Sequence, residues 1–261
     1  MIPACIAICI LAAVYGLLFL GNRRFTVTHD VIRSAKIRKP FRVVQVSDLH
    51  DRSFGEAQCR LLDAIRSEKP DLIVITGDLF NRHDSGACRN AYRFAGQVIS
   101  IAPTYFAEGN HEASLGKTGK RYVKTIASMG VRVLRNAYTD LPECRLIGLK
   151  QRAGANALRI LTAPDRLNLV LAHRPELIGE YAKAGADVVL SGHAHGGQIR
   201  IFRKGIYAPE QGLFPRYTAG KYQINDTVLY VSRGLGNTIH VPRVCNTPEL
   251  CVLDFIPDTG E

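Results

Sequence analysis

No Cys-x-x-Cys pair occurs in this sequence. The seven cysteines are Cys5, Cys9, Cys59, Cys88, Cys144, Cys245 and Cys251. The first two fall in an apolar N-terminal run, and the odd remainder argues against both a structural zinc knuckle and a dense disulfide framework. Buried thiols in a reducing compartment are their simplest use. Internal repeats and low-complexity tracts are also missing. With 46% hydrophobic and 22% charged residues, the body is globular, not disordered. Acidic residues are the scarcer charge, 23 against 34 Lys and Arg, for a net charge of +11 and a pI near 9.5. Such an excess suits an anionic partner: a phosphate ester, anionic lipid or nucleic acid. No basic stretch is interleaved with aromatics, so a nucleic-acid partner is not expected.

Charge is absent altogether from residues 2–20, which at 1.5 Å per residue are long enough to cross a hydrocarbon core of about 30 Å. No Lys or Arg precedes this run and no small-x-small cleavage site follows it. An uncleaved transmembrane helix is therefore favoured over a signal peptide. Arg23, Arg24, Arg33, Lys36, Arg38, Lys39 and Arg42 come next, and by the positive-inside rule they keep the rest of the chain cytoplasmic. The expected organisation is an anchor over residues 1–21, a basic juxtamembrane lead-in over 22–40, one domain over 41–256 and a tail over 257–261.

Along the body, apolar runs alternate with amphipathic stretches. Strands are expected over residues 42–47, 72–76, 104–107 and 131–134, with helices over 56–67, 87–101 and 121–129 between them. Residues 138–149 suggest a hairpin, and 151–161 have no clear period. A strand over 167–172, a helix over 175–184 and a strand over 187–190 follow, with Pro175 in the first turn of that helix and Gly185 just past its end. Residues 198–202, 222–232 and 250–255 suggest antiparallel strands joined by Gly- and Pro-rich loops. This order argues for an α/β fold with two sheets packed on each other and helices outside, whose ligands sit at the carboxyl ends of strands.

Five of the apolar runs end in metal-type residues. The first leads into Asp48-Leu49-His50, the second into Gly77-Asp78, the third into Glu108-Gly109-Asn110-His111-Glu112 and the fourth into His173. The fifth leads into Gly192-His193-Ala194-His195-Gly196-Gly197-Gln198, where glycine lets the backbone approach a ligand closely. A lone His-x-His pair is weak evidence, since a loop histidine is common. The five together present carboxylate, imidazole and amide oxygen without thiolate, a set suited to Mn²⁺, Fe or Zn²⁺. One ion cannot use seven such ligands, whereas two sharing a carboxylate can.

In order and kind these motifs resemble those of the calcineurin-like metallophosphoesterases. The likeness is greatest to a small, membrane-associated bacterial branch in which Gly196-Gly197-Gln198, Ser232-Arg233-Gly234-Leu235-Gly236 and Asn246-Thr247-Pro248-Glu249-Leu250 are also typical. The resemblance implies a four-layer sandwich of two mixed sheets flanked by helices. It further implies that Asp48, His50 and His195 hold one divalent ion, that Asn110, His173 and His193 hold the other, and that Asp78 bridges them. His111 would face the substrate and protonate the leaving alkoxide. Two ions about 3.5–4 Å apart would make a bridging hydroxide available to attack phosphorus. The implied activity is hydrolysis of a phosphate ester, a phosphodiester or phospholipid-like substrate being favoured by the anchor. The alternative is an inactive binding module docking a partner or anionic lipid.

Other residues near the motifs carry weaker expectations. His29, His83 and His240 have no motif partner and suit surface or loop positions. Glu112 could orient His111 or a ligand. Arg174 could contact phosphate or simply lie at the surface. Asn81 and Arg82 follow Asp78 in a loop where substrate contacts are plausible, and Asp51-Arg52 bring unusual charge to the pocket rim. Residues 151–166 are too few for a large cap, so an open site is expected.

Overall fold

The computed structural model describes residues 15–16, 21–81, 88–237 and 242–258. The expected anchor over residues 2–20, apart from Tyr15 and Gly16, lies outside them, as do Arg82, His83 and His240. Among the described residues no helix is long and apolar enough to cross a membrane.

In chain order the elements are β1 (Thr26–Ser34), β2 (Phe41–Val46), α1 (Cys59–Ser67), β3 (Leu72–Ile75), α2 (Arg89–Val98), β4 (Thr104–Phe106), α3 (Asn110–Ser114), α4 (Lys117–Ser128), β5 (Arg132–Val133), β6 (Ala137–Asp140) and β7 (Arg145–Gly148). They continue with α5 (Ala155–Arg159), β8 (Asn168–Leu171), α6 (Ile178–Lys183), β9 (Val188–Ser191), β10 (Arg200–Ile201), β11 (Lys204–Gly205), β12 (Tyr207–Ala208), β13 (Gly212–Leu213), β14 (Gly220–Ile224), β15 (Thr227–Val231) and β16 (Glu249–Pro257).

Two six-stranded sheets form, in the orders β1-β16-β2-β3-β4-β5 and β14-β15-β9-β8-β7-β6. Both are mixed. In the first, β2 to β5 run parallel and β16 is antiparallel to β2. In the second, β7, β8, β9 and β15 run parallel between two antiparallel edge strands.

Alternation along the strands sorts side chains into three apolar layers. Val44, Val46, Ile73 and Ile75 meet Leu61, Leu62 and Ile65 of α1, Phe94 of α2 and Ile126 of α4. Val43, Leu72, Val74 and Tyr105 face Leu169, Leu171, Val188 and Leu190 of the second sheet. On that sheet's far side Val170, Val189 and Val231 cover Leu158 of α5 and Ile178 and Tyr181 of α6. The result is the expected sequence of layers, helix, sheet, sheet, helix. Each fully buried aliphatic side chain contributes roughly 1.5–3 kcal/mol to holding it.

One polar residue interrupts the layer between the sheets. Gln45 is fully buried there, and its Nε2 donates to Thr76 Oγ1 at 2.9 Å and to the Ser191 carbonyl at 2.9 Å. Thr76 ends the run of β3 and Ser191 closes β9, so this amide joins the carboxyl ends of strands from different sheets.

Several expectations are refined. The basic lead-in contains a full edge strand, β1, paired in parallel along all nine residues with β16, and a turn follows it. Residues 222–232 form a hairpin and not one strand: Asn225 turns the chain at φ 50°, a conformation asparagine tolerates, and β15 then runs parallel to β9. β16 is antiparallel to β2 yet parallel to β1. The unassigned stretch 151–161 contains α5, which packs on the second sheet's outer face through Leu158.

Candidate metal centre

The five motifs meet at the carboxyl ends of β2, β3, β4, β8 and β9, where parallel strands open their loops to one side. The loops after β2 and β3 are laced together: the Asp48 N–H donates to the Gly77 carbonyl and the His50 N–H to the Asp78 carbonyl, each at 3.0 Å. Asp48, His50, Asp78, His193 and His195 have φ of 51°, 49°, 52°, 68° and 46°. Left-handed backbone at non-glycine residues costs on the order of 1 kcal/mol apiece and persists only where its surroundings impose it. Here it turns five candidate ligands toward a common point.

Gly192 and Gly109 allow the convergence. A Cβ on Gly192 would lie 1.9 Å from Ser47 Oγ and 2.3 Å from Asp48 Oδ2, and one on Gly109 would lie 2.1 Å from Asp78 Oδ1. The third motif opens α3: Gly109 is its cap, and its N–H donates to the Glu112 carboxylate at 2.7 Å.

All seven candidate ligands and His111 come together, and all but the half-buried Asn110 are buried. Asp48, His50 and His195 form one group able to hold a cation, and Asp78, His173 and His193 form another. His50 Nε2 lies 3.3 Å from His195 Nε2 and 3.9 Å from Asp48 Oδ1. Asp78 Oδ2 stands between the groups, 3.8 Å from His50 Nε2 and 3.3 Å from His173 Nε2. Asn110 Oδ1 adds an oxygen 3.0 Å from His173 Nε2. His111 Nε2 is 3.9 Å from Asp78 Oδ2, close enough that His50, Asp78 and His111 make a third possible ligand group.

Orientation of these groups fits divalent ions. His173 Nδ1 faces the Thr76 carbonyl at 2.8 Å, an acceptor, so Nδ1 keeps its proton and an ion bound in the pocket would take the place of the proton at Nε2. His193 Nε2 is buried without a hydrogen-bond partner. An unpaired buried imidazole nitrogen costs about 1–3 kcal/mol, and a coordinated ion removes that cost.

Charge in the pocket is strongly perturbed. Burial pushes His50 and His193 down to about 3, so both are neutral donors at physiological pH. It lowers His195 well below the usual imidazole range too, with the charges of His50 and Arg243 adding to the effect. For His173 burial opposes protonation, but Asp78, by charge and hydrogen bond, and Asp48 outweigh it and hold the pKa up to about 10. Burial raises Asp48 to about 6, and burial together with the Asp78 charge raises Glu112 to about 7. A cluster this rich in buried acids and imidazoles needs positive charge at its centre.

The supporting residues lie farther along the chain. Glu112 accepts the N–H groups of Asp78 (3.0 Å), Gly109 and Phe80 (3.1 Å), so it holds the loop that presents Asp78. The late glycine motif backs the first ligand: the N–H groups of Leu235 and Gly236 donate to the carbonyls of Ser47 and Asp48. Asn246 Nδ2 donates to the carbonyls of His195 (2.7 Å) and Gln198 (3.2 Å) and pins the turn between them. Arg243, 2% exposed, places Nη2 3.2 Å from His195 Nδ1 and bonds the carbonyls of Arg233 and Gly236. Nothing in its local sequence marked this arginine, because its partners are distant in the chain.

Other expectations are settled by contacts. Arg174 is buried and not at the surface: it is 8% exposed and paired with Glu176 at 2.6 Å and Glu210 at 2.9 Å. Asp51 Oδ1 accepts the Ala91 N–H at 2.7 Å in the first turn of α2, a structural cap. His29 bonds Glu68 at the surface.

Comparison with known proteins identifies the family. Residues 41–197 match the calcineurin-like phosphoesterase family. The chain is 31% identical to the metallophosphoesterase YkuE of Bacillus subtilis, over 90% of this chain and 86% of that one. It is 29% identical to the phosphodiesterase YaeI of Escherichia coli, with 83% of each covered. It is also 26% identical to the UDP-2,3-diacylglucosamine pyrophosphatase LpxG of Chlamydia trachomatis, over 81% of this chain and 82% of that one. With these matches and adjacent groups of buried His and Asp able to hold metal ions, the chain belongs to the calcineurin-like metallophosphoesterases and is a metal-dependent phosphoric ester hydrolase.

Proposed function

We propose that the protein is a membrane-anchored phosphodiesterase with a dinuclear centre, acting on phosphodiester or phospholipid-like substrates. The carrying observation is that one carboxylate, Asp78, lies within 4 Å of His50, His111 and His173 and so joins both ligand groups. In this reading Asp48, His50 and His195 hold one ion, Asn110, His173 and His193 hold the other, and Asp78 is shared. Two divalent ions bound there, Mn²⁺, Fe or Zn²⁺, would supply a nucleophilic hydroxide near neutral pH and neutralise phosphate oxygens.

The chain's own residues do the remaining work. His111 sits at the start of α3 with its N–H donated to Asp78 Oδ1 at 2.8 Å, which fixes the ring beside the shared carboxylate. From there its Nε2 gives a proton to the departing alkoxide. Glu112 and Arg243 keep Asp78 and His195 in place. The names of YaeI, a phosphodiesterase, and LpxG, a pyrophosphatase of UDP-2,3-diacylglucosamine, support a diester or lipid-linked substrate. The uncharged run over residues 2–20 supports the anchor.

The full chain in detergent, loaded with Mn²⁺, should hydrolyse bis(p-nitrophenyl) phosphate, lose that activity to a chelator and regain it on adding Mn²⁺. His111→Gln should keep two ions per chain while kcat falls roughly 10²-fold or more. Inactivity of the metal-loaded wild type toward diesters and monoesters alike would refute the proposal, and fewer than one bound ion per chain would favour the binding-module alternative.

A further inference from the structure

We propose that the two hairpins β10–β11 and β12–β13 form a face that docks on an anionic lipid bilayer and holds the mouth of the metal centre at headgroup level. This rests on the membrane-anchored reading above and names the surface that would meet the membrane.

The first observation is where apolar side chains are exposed. Scattered exposed hydrophobics are ordinary, but a concentration of them marks an interaction site. Among the described residues nine large hydrophobics are exposed, and five of these fall between positions 201 and 214. They are Ile201 (53%), Phe202 (95%), Tyr207 (51%), Leu213 (69%) and Phe214 (77%). Phe202 forms the tip of the first hairpin, and Leu213 and Phe214 end the second.

Charge on the same face selects the partner. Arg203, Lys204 and Arg216 are exposed among these apolar groups. Within the hairpin segment the one acid, Glu210, is taken up by Arg174, and the neighbouring Asp30 and Glu249 are paired with Lys221 and Arg233. Aromatic and aliphatic side chains interleaved with Lys and Arg match the boundary between acyl chains and anionic headgroups. A second copy of the chain is the other candidate occupant. A two-fold contact would set Arg203, Lys204 and Arg216 against their own copies, which disfavours it.

Rigid attachment to the site is the third observation. The Ile206 N–H donates to the carbonyls of Gly197 (3.1 Å) and Ile199 (2.9 Å), and the Phe214 N–H donates to the Ile206 carbonyl at 2.8 Å. A Cβ on Gly197 would lie 2.3 Å from Gly205 Cα, so the first hairpin packs directly on the turn that carries His195. Glu210 of the second reaches Arg174, beside His173. The hairpins are thus tied to both ligand groups.

The N-terminal segment joins the fold at the same place. Asn22 exchanges two 3.0 Å hydrogen bonds with the main chain of Arg243, whose guanidinium lies against His195. Asn22, two residues after the uncharged run in the sequence, therefore lies close to the turn from which the hairpins project, with Arg23 and Arg24 next in the chain. A bilayer that takes up this run lies alongside the hairpin face.

The sequence contains no tryptophan, so a single introduced one reports without background. The full chain carrying Phe202→Trp is reconstituted into vesicles of phosphatidylcholine and phosphatidylglycerol, with or without brominated acyl chains. Tyr138→Trp is the control, since β6 lies at the opposite edge of the second sheet from β14. The indole of Phe202→Trp should emit at shorter wavelength than that of Tyr138→Trp and be quenched roughly two-fold by the brominated lipid, while the control is not. Replacing Arg203, Lys204 and Arg216 with Glu should remove that quenching.

Quenching of Phe202→Trp no greater than that of Tyr138→Trp, in vesicles that still carry the protein, would overturn the docking face. So would an indole at position 202 shielded from aqueous acrylamide yet untouched by bromolipid, the result expected if a second copy covers the hairpins. Hydrolysis of the aryl diester in detergent is measured on the same preparations. Activity without lipid quenching removes only the docking face, and quenching without activity removes only the phosphodiesterase reading.

Discussion

Replacing Gly192 with alanine tests whether close packing against the first ligand holds the centre together. The φ of Gly192 lies outside the left-handed region, so alanine is allowed by the backbone and only space opposes it. Its Cβ would lie 1.9 Å from Ser47 Oγ and 2.3 Å from Asp48 Oδ2, and ordinary contact requires these oxygens to retreat by roughly 1.5 Å and 1 Å. The Ser47 hydroxyl donates to that same Oδ2 at 2.6 Å, and the His193 N–H donates to the carboxylate at 3.1 and 3.2 Å. Asp48 therefore cannot move without loosening its hold on the turn that carries His193. Overpacking of this kind costs about 1–3 kcal/mol, which for a chain of this size lowers Tm by roughly 2–12 °C. A 1 Å displacement of a catalytic group costs on the order of 10²-fold in rate. Gly192→Ala should thus bind fewer than two Mn²⁺ per chain after desalting, and its kcat should fall about 10²-fold. Adding Ser47→Ala removes the nearer oxygen and should restore part of the Tm but little metal, because the Asp48 clash remains. Gly192→Ala with two ions and the wild-type Tm would refute the reasoning.

Arg243→Lys keeps the charge but loses the fork that reaches the carbonyls of Arg233 and Gly236 and the ring of His195. A loss of about 2–4 kcal/mol is expected in chemical denaturation, and an unchanged midpoint would show that the buried guanidinium is dispensable. The elevated pKa of His173 sets a pH dependence for the protein stripped of metal. Because its folded value, about 10, lies above its ordinary 6.5, its contribution to stability is complete below pH 6.5 and is lost as pH rises through 10. With chelator present, the Tm of the wild type should fall toward that of His173→Gln between pH 6.5 and 10, and two curves that stay parallel across this range would contradict the assignment.

Legibility of the chain divided by the range over which each feature is encoded. Strands β3, β8 and β9 are buried on both faces, so three or four consecutive apolar residues mark each in the sequence, and each is followed within three residues by its ligand. Local order therefore disclosed both the strand and the chemistry at its end. Strand β1 offered no such signal: it is a partly exposed edge strand, TVTHDVIRS, whose partner β16 lies more than two hundred residues away. The same distance hid the parts that hold the ligands in position. Arg174 stands beside a ligand, yet its role is set by Glu210, and Arg243 becomes intelligible only once Asn22, Arg233 and His195 surround it. Glu112 is the intermediate case, since its bond to Gly109 is local and those to Asp78 and Phe80 cross between loops. Ligands in such a site must take fixed chemical types on short loops, because an ion accepts few donors and each strand end can present only one or two. What orients them can be any group with the right hydrogen bonds, drawn from anywhere in the fold, so it leaves no local pattern to read.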